Sequence, residues 1–314
     1  ADYTGDSFKL SKYAASQNNA EYIIFCGVHF MAETADILTN DDQNVILPNM
    51  TAGCSMADMA ITDDVLDCWD DLGSVLKNKI VTPITYMNST ADIKSLCGEN
   101  DGVVCTSSNA KQTFEWALKK QGKILFLPDQ HLGRNTASRM GVSDDEMIVW
   151  DPFKSLGGNS EEDINKSKII LWKGHCSVHT RFTLEQIKKA RHKHNDVKVI
   201  VHPECTPDVV DNADLYGSTE FIINQVSNSK PGTTWAIGTE INLVNRLAKE
   251  NQDKNIFCLD SIVCPCATMY RIHPAYLLWV LEGLVEQNPT NVVQVAPDKK
   301  KNARKALDLM LSLS

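Results

Sequence analysis

The sequence predicts an α/β protein in which three pseudo-threefold-related αβα units, each built on a parallel sheet, surround a central site. Three observations carry this. Short β-branched runs alternate with amphipathic stretches of helical spacing along most of the 314 residues, which is the pattern of βαβ units. One ordered series of segments occurs three times, each time ending in a cysteine. The spacing inside the series is kept: Ser7 to Cys54 spans 47 positions and Ser218 to Cys266 spans 48, whereas Ser107 to Cys176 spans 69 and so holds an insertion.

The first copy takes residues 1–55, completed by 267–314. It offers the helix TGDSFKLSKYAA, the strand EYIIFCGV, the helix MAETADIL and the run NVILPNMTAGC ending at Cys54, with the opening strand of the series absent. The second copy, 56–177, runs from the strand KIVTPITYMN through the helix STADIKSL and GVVCTSSNAKQTFEWALKK to the strand KILFLPD, a further helix and KIILWKGHC, ending at Cys176. Its extra length is assigned to a Gly/Ser/Asp-rich loop around residues 141–167. The third copy, 178–266, follows the same order: VKVIVHPE, TPDVVDNAD, YGSTEFIINQVSN, TTWAIGTE, INLVNRLAKE and NIFCLDSIVCPC, ending at Cys266. The segments MYRIHPAYLLWVLEGLVEQ and ARKALDLMLSL have helical apolar spacing and are expected to pack back onto the first copy.

Composition narrows the function classes. Thirty-one Lys+Arg against 40 Asp+Glu, with KKKNARK the one short basic cluster, argue against a nucleic-acid footprint and for small-molecule partners. The apolar runs YIIFCGV and AYLLWVLEGLV fall short of the roughly 20 residues that a bilayer crossing needs. Ten cysteines are too dilute for a disulfide scaffold, and Cys26, Cys105 and Cys258 read as small core residues. A reducing, cytoplasmic compartment is expected, no secretory leader being visible, with a plastid open if a leader has been lost.

Ligands of parallel sheets gather outside the carboxyl ends of the strands. Cys54, Cys176 and Cys266 each follow a strand and precede a segment that reads as helical, so three pseudo-symmetric loops would bring three thiols to the centre, each near a helix N-terminus that favours the thiolate. Three thiolates without a fourth suit an iron–sulfur cluster with one open metal, or a catalytic zinc with one open position. Separations of 122 and 90 residues match no local zinc or ferredoxin pattern. Cys264 and Cys266 form a C-x-C that could be a redox pair or a zinc fragment, and Cys266 is preferred as ligand.

The strand ends add polar pairs at corresponding positions, Tyr86 with Asn88 and His202 with Glu204; residues two apart on an extended strand share one side. Any of these could transfer a proton or be a satisfied buried polar group. The sets Gly5-Asp6-Ser7, Thr106-Ser107-Ser108 and Gly217-Ser218-Thr219 each open a helix, where Ser and Thr serve as caps. Facing one cavity, they would also suit a carboxylate or phosphate. His179, three residues past Cys176, could reach the same space.

The stretches GDSFKLSKYA, FCGVHFMAETA, LPNMTAGCSMADM, TYMNSTADIK, CTSSNA, LPDQHLG, WKGHC-x-VH-x-RFT, VHPEC, GST, GTE and CATM together resemble the quinolinate synthase family, in the family's order and over essentially the whole chain. The resemblance implies a [4Fe–4S] cluster on Cys54, Cys176 and Cys266, with one iron free to act as a Lewis acid. It implies a condensation of iminoaspartate with dihydroxyacetone phosphate to quinolinate, phosphate and water for NAD synthesis, the iminoaspartate coming from an L-aspartate oxidase or dehydrogenase. By motif, Ser7, Tyr86, Asn88, Ser107, His179, His202, Glu204, Ser218 and Thr219 correspond to the substrate-contacting set, with Glu204, Tyr86 and His202 as the catalytic candidates. The chain departs from the family in beginning just before Gly5, where relatives carry an earlier strand with an H-N-Y-like motif. The expectation is therefore a truncated form that gathers its cysteines but turns over poorly. A zinc-dependent lyase or hydrolase and a non-catalytic iron–sulfur sensor are the alternatives: zinc commonly recruits His as well, and a sensor needs no convergent Ser, Tyr, His and Glu set.

Overall fold

The computed structural model describes residues 1–77, 80–120, 122–262 and 265–313. The chain opens with helix α1 (Ser7–Ser16), strand β1 (Tyr22–Ile24), helix α2 (His29–Leu38) and strand β2 (Asn44–Ile46). The second unit comprises α3 (Thr62–Leu76), β3 (Val81–Tyr86), α4 (Ala91–Glu99), β4 (Val103–Cys105), α5 (Ala110–Leu118), β5 (Lys123–Leu127), α6 (Gln130–Arg139), β6 (Met147–Trp150), α7 (Glu161–Lys166) and β7 (Ile169–Trp172). The third has α8 (Leu184–Lys193), β8 (Lys198–Val201), α9 (Pro207–Asn212), β9 (Leu215–Tyr216), α10 (Thr219–Ser227), β10 (Thr234–Gly238), α11 (Ile241–Glu250) and β11 (Asn255–Cys258). The chain closes with α12 (Pro274–Val285), β12 (Val292–Val293) and α13 (Pro297–Ser312).

The strands make three sheets, ordered β4-β3-β5-β7-β6, β9-β8-β10-β11 and β1-β2-β12. The first two are wholly parallel and share one topology; in the third, β12 runs antiparallel to β2. Both faces of the parallel sheets are covered, as parallel sheets require. Along β5 and β7, Ile124, Phe126, Ile169 and Leu171 enter one apolar cluster while Leu125, Leu127, Ile170 and Trp172 enter the opposite one. Val199, Val201 and Ala236 likewise divide from Ile200, Trp235 and Ile237 in the third unit. This two-residue alternation makes each unit an αβα sandwich.

The structure differs from the sequence reading in four places. The insertion is not all loop: Met147–Trp150 adds β6 as an edge strand beside β7, and α7 is held by a capping box between Ser160 and Asp163. Cys26 is exposed, while Cys105 is fully buried and Cys258 only partly so. Of the C-terminal segments, β12 does join the first sheet, but α13 packs chiefly on α4 and β4 of the second unit, touching α2 on its way. Gly98 permits this approach, since a Cβ there would stand 1.9 Å from the Asn302 carbonyl oxygen. Finally, α12 buries Val280 alone, leaving Leu278, Trp279 and Val285 exposed. Its counterparts α3 and α8 pack on α4 and α9, the helices that follow the first strands of their sheets. Among the described residues no element fills the corresponding place, and β1 lies at the edge of its sheet. No described helix is long and apolar enough to cross a membrane.

Candidate active site

The three cysteine loops repeat one conformation. Cys54, Cys176 and Cys266 each precede a single 3₁₀ turn (Ala57–Met59, His179–Arg181, Met269–Arg271). Each cysteine carbonyl accepts the amide four residues on, from Asp58, Thr180 and Tyr270, at 3.0 Å in every case. All three line one cavity of about 280 Å³. Cys264 lies outside the described residues, so its part in the C-x-C is not placed. Gly174 lets the Cys176 loop close over the end of β5, where a Cβ would stand 2.2 Å from the Pro128 carbonyl oxygen.

Cys54 and Cys176 are not the low-pKa groups expected of helix N-termini. Burial pushes Cys54 up to about 12, against the opposing pull of the Ala57 and Met56 amides. Burial also raises Cys176 well above its ordinary value, with Glu204 adding to the effect and the His179 and Val178 amides opposing it. The cause is local: a one-turn 3₁₀ helix presents two amides rather than the first turn of an α-helix, and desolvation of the thiolate outweighs them. A metal that binds here must therefore displace thiol protons.

Around the thiols the strand ends supply Tyr86 and Asn88 after β3, Thr106 and Ser107 after β4, and His202 and Glu204 after β8. Glu204 is the hub, 3% exposed. His179 Nδ1 lies 2.8 Å from its Oε2, His202 Nδ1 lies 3.6 Å from its Oε1, and the Tyr86 hydroxyl donates to it. Burial acts to raise the Glu204 pKa, but the His179 and His202 imidazoles and the hydrogen bonds from His179 and Tyr86 outweigh it and hold the carboxyl well below its usual range. The direction rests on His179 and Tyr86, because burial lowers His202 to about 3 and leaves that ring neutral. His202 Nδ1 accepts the Glu204 amide at 3.4 Å, so Nε2 carries the ring proton. The two imidazoles stack at 4.5 Å. Tyr86 is raised well above its ordinary value by burial and by Glu204, with Ser107 opposing, and stays protonated.

Ser7, Tyr86, Asn88, Ser107, His179, His202, Glu204 and Thr219 thus share the cavity wall with the three cysteines. Ser218 does not line it: it is the cap of α10, its hydroxyl accepting the Phe221 amide. The equivalent cap of α1 is Asp6, which accepts the Lys9 amide. Ser7 therefore corresponds to Thr219, not Ser218, and both stand 47 positions before their cysteine. Ser107 is no cap, since α5 begins at Ala110 behind Asn109. His175, four residues before His179, does not reach the cavity.

The sequence reading missed Thr239, whose hydroxyl lies 3.3 Å from His179 Nε2, and Glu240, which accepts the Cys266 amide at 3.3 Å. It also missed Asp129, fully buried at the cap of α6 with one carboxylate oxygen unpartnered. Burial and Glu204 raise the Asp129 pKa well above its ordinary value. All three stand at the ends of β5 and β10, a recurring position that the strand-end argument could have included. The ligating atoms of Cys176, His179 and Glu204 lie within 4.8 Å of one another, a group able to hold a metal.

A protein-family model described as "NadA: Quinolinate synthetase A protein" matches residues 1–312. The chain is 55% identical to a quinolinate synthase of Corynebacterium glutamicum over 313 residues, all of this chain and 79% of the relative. It is 55% identical to that of Acidobacterium capsulatum over 316 residues, covering 84% of it. It is 52% identical to that of Geobacillus thermodenitrificans over 315 residues, covering 85%.

Proposed function

The chain belongs to the quinolinate synthetase A family, and from that premise we propose that it is an enzyme of NAD biosynthesis that condenses iminoaspartate with dihydroxyacetone phosphate to give quinolinate, phosphate and water. The observation that supports this most is the meeting of three cysteines from three sheets with Tyr86, His202 and Glu204 in one cavity.

The donor set fits a cluster with one open corner. Cys54, Cys176 and Cys266 would hold a [4Fe–4S] cluster, and their turns direct amides at the sulfurs of Cys54 and Cys176. When bound, the cluster supplies a Lewis acid for a substrate carboxylate or hydroxyl.

The remaining steps fall to the protein. Tyr86, protonated and bridged between Ser107 and Glu204, donates to a departing oxygen. Glu204 in the resting site is too well satisfied by His179 to accept a proton readily; a substrate that takes over the His179 hydrogen bond frees it as the base. Neutral His202 polarises a carbonyl through Nε2–H without carrying charge. Ser7 and Thr219, first residues of ten- and nine-residue helices, offer hydroxyls and amides to carboxylate and phosphate. Asn88 and Ser107 orient the substrate from the second unit.

The test is anaerobic reconstitution with iron and sulfide. About four of each per chain are expected, lost in Cys54→Ser, Cys176→Ser and Cys266→Ser and kept in Cys26→Ser, with quinolinate formed from both substrates by the loaded protein. Failure to take up iron and sulfide, or loading that survives all three substitutions, overturns the reading.

A further inference from the structure

The three cysteine turns match in backbone but not in the side chain three residues on: Ala57, His179 and Met269. Only the turn of the second unit therefore carries a nitrogen ligand beside its thiol, and among the described residues only there does a carboxylate complete the set. The ligating atoms of Cys176, His179 and Glu204 already lie within 4.8 Å of one another. We infer that the cluster-free chain holds a single zinc-class divalent cation on Cys176, His179 and Glu204, and that this ion and the cluster exclude each other because both claim Cys176. The cation site stands without the cluster assignment; the exclusion rests on it.

Chemistry and support both favour the site. Thiolate, imidazole and carboxylate together suit zinc, and three protein ligands leave a fourth position open to the cavity. Bonds of about 2.0–2.3 Å set ligand atoms about 3.3–3.8 Å apart, so the sulfur closes by about 1 Å and the 2.8 Å contact between His179 Nδ1 and Glu204 Oε2 opens to admit the ion. With Nδ1 on the metal, the proton that Nδ1 gave to the Glu204 contact moves to Nε2, which then donates to Thr239 Oγ1, the outer hydrogen bond that ligating histidines require. Glu204 keeps the hydrogen bond from the Tyr86 hydroxyl. Cys176 and His179 are fixed on one turn, the Cys176 carbonyl accepting from both the amide and the hydroxyl of Thr180 at 3.0 Å. Binding exchanges the thiol proton for the cation and involves no electron transfer.

The experiment uses the full chain stripped of iron and sulfide, titrated with Zn²⁺ against a chromophoric chelator and with Co²⁺ by absorption. One ion per chain is expected, with a tetrahedral cobalt spectrum containing a thiolate charge-transfer band. Cys176→Ser and His179→Ala should weaken zinc by more than about 100-fold, beyond what loss of an outer partner costs, whereas Cys54→Ser and Cys266→Ser stay within about threefold of the parent chain. In the unmutated chain, zinc should protect Cys176 from alkylation and leave Cys54 and Cys266 reactive. No stoichiometric binding overturns the inference. So does a three-thiolate site, recognised by equal protection of all three cysteines and by loss in Cys54→Ser and Cys266→Ser but not in His179→Ala. Zinc added before reconstitution should block iron–sulfide uptake; a cluster assembling at full yield beside bound zinc refutes the exclusion. A chain that binds zinc but takes up no iron and sulfide in zinc-free buffer refutes the cluster reading alone.

Discussion

His202→Asn should remove a large part of the chain's acid sensitivity. Burial lowers the folded-state pKa of His202 to about 3, against about 6.5 in an unfolded chain. With the folded value depressed, the unfolded chain takes up a proton that the folded chain refuses. The stability is thus complete above about pH 6.5 and is lost as pH falls toward the folded value, at about 1.4 kcal/mol per pH unit. Between pH 6.5 and 5 that amounts to about 2 kcal/mol from this ring alone. Glu204 does not intrude, since a carboxyl whose folded value is depressed begins to lose its contribution only as pH falls through the unfolded value of about 4.3, below this window. His131, lowered to about 4 chiefly by burial, adds a smaller, solvent-screened share in the same window, equally in both proteins. Asn preserves an oxygen where Nδ1 accepts the Glu204 amide, so the fold is kept while the titration is removed. Urea midpoints of the metal-free chain at pH 7 and pH 5, read by fluorescence of the six tryptophans and by circular dichroism to check cooperativity, should show the variant losing about 2 kcal/mol less than the parent. Equal losses in the two proteins would refute the assignment of a neutral, buried His202.

Two further outcomes follow from particular contacts. Tyr86→Phe removes the phenol held between Ser107 and Glu204 and should lower turnover by about 10²–10⁴-fold, as loss of a general acid does, with iron and sulfide content unchanged; unaltered turnover would exclude the phenol as proton donor. Gly98→Ala puts a methyl where 1.9 Å separates it from the Asn302 carbonyl oxygen, a backbone clash that costs about 1–3 kcal/mol or more. Since α13 is the element displaced, proteolysis of the folded chain should release its C-terminal residues first, and a thermal midpoint equal to the parent's would contradict the packing.

How much was legible in the sequence depended on whether a feature was carried by the repeat or by a one-residue choice. That the cysteines and the pairs Tyr86/Asn88 and His202/Glu204 meet at one cavity was legible because strand ends fall at fixed places in a repeated unit. The Ser218 assignment was not, because capping turns on which residue leaves the helix, and Asp6 takes in the first unit the position that Ser218 takes in the third. The raised pKa of Cys54 and Cys176 was hidden for a different reason. SMADMA, SVHTRF and ATMYRI look like helix starts, but each stops after one 3₁₀ turn, and burial is a property of the assembled cavity. The destination of α13 was equally unreadable: apolar spacing says that a helix packs, not on which sheet, and the deciding residue is a glycine on another helix.

The repeat is symmetric at the cysteines and unsymmetric around them. Behind Cys176 stand His179, Glu204 and the buried Asp129. On the side of Cys54 the first unit contributes Val28, Phe30 and Met31, with Lys94 fully buried beneath the Phe30 ring, 5.5 Å from its centroid. Burial lowers Lys94 to about 8 while Glu33 pulls it back up, so near neutral pH it remains largely an ammonium. An anionic centre at the threefold axis would therefore meet a cation and an apolar wall on one side and hydrogen-bonding acids on the other. On the proposed reading, three identical thiols would fix where a metal centre sits, and this unequal surround would admit a polar substrate from the face between Tyr86, His202 and Glu204.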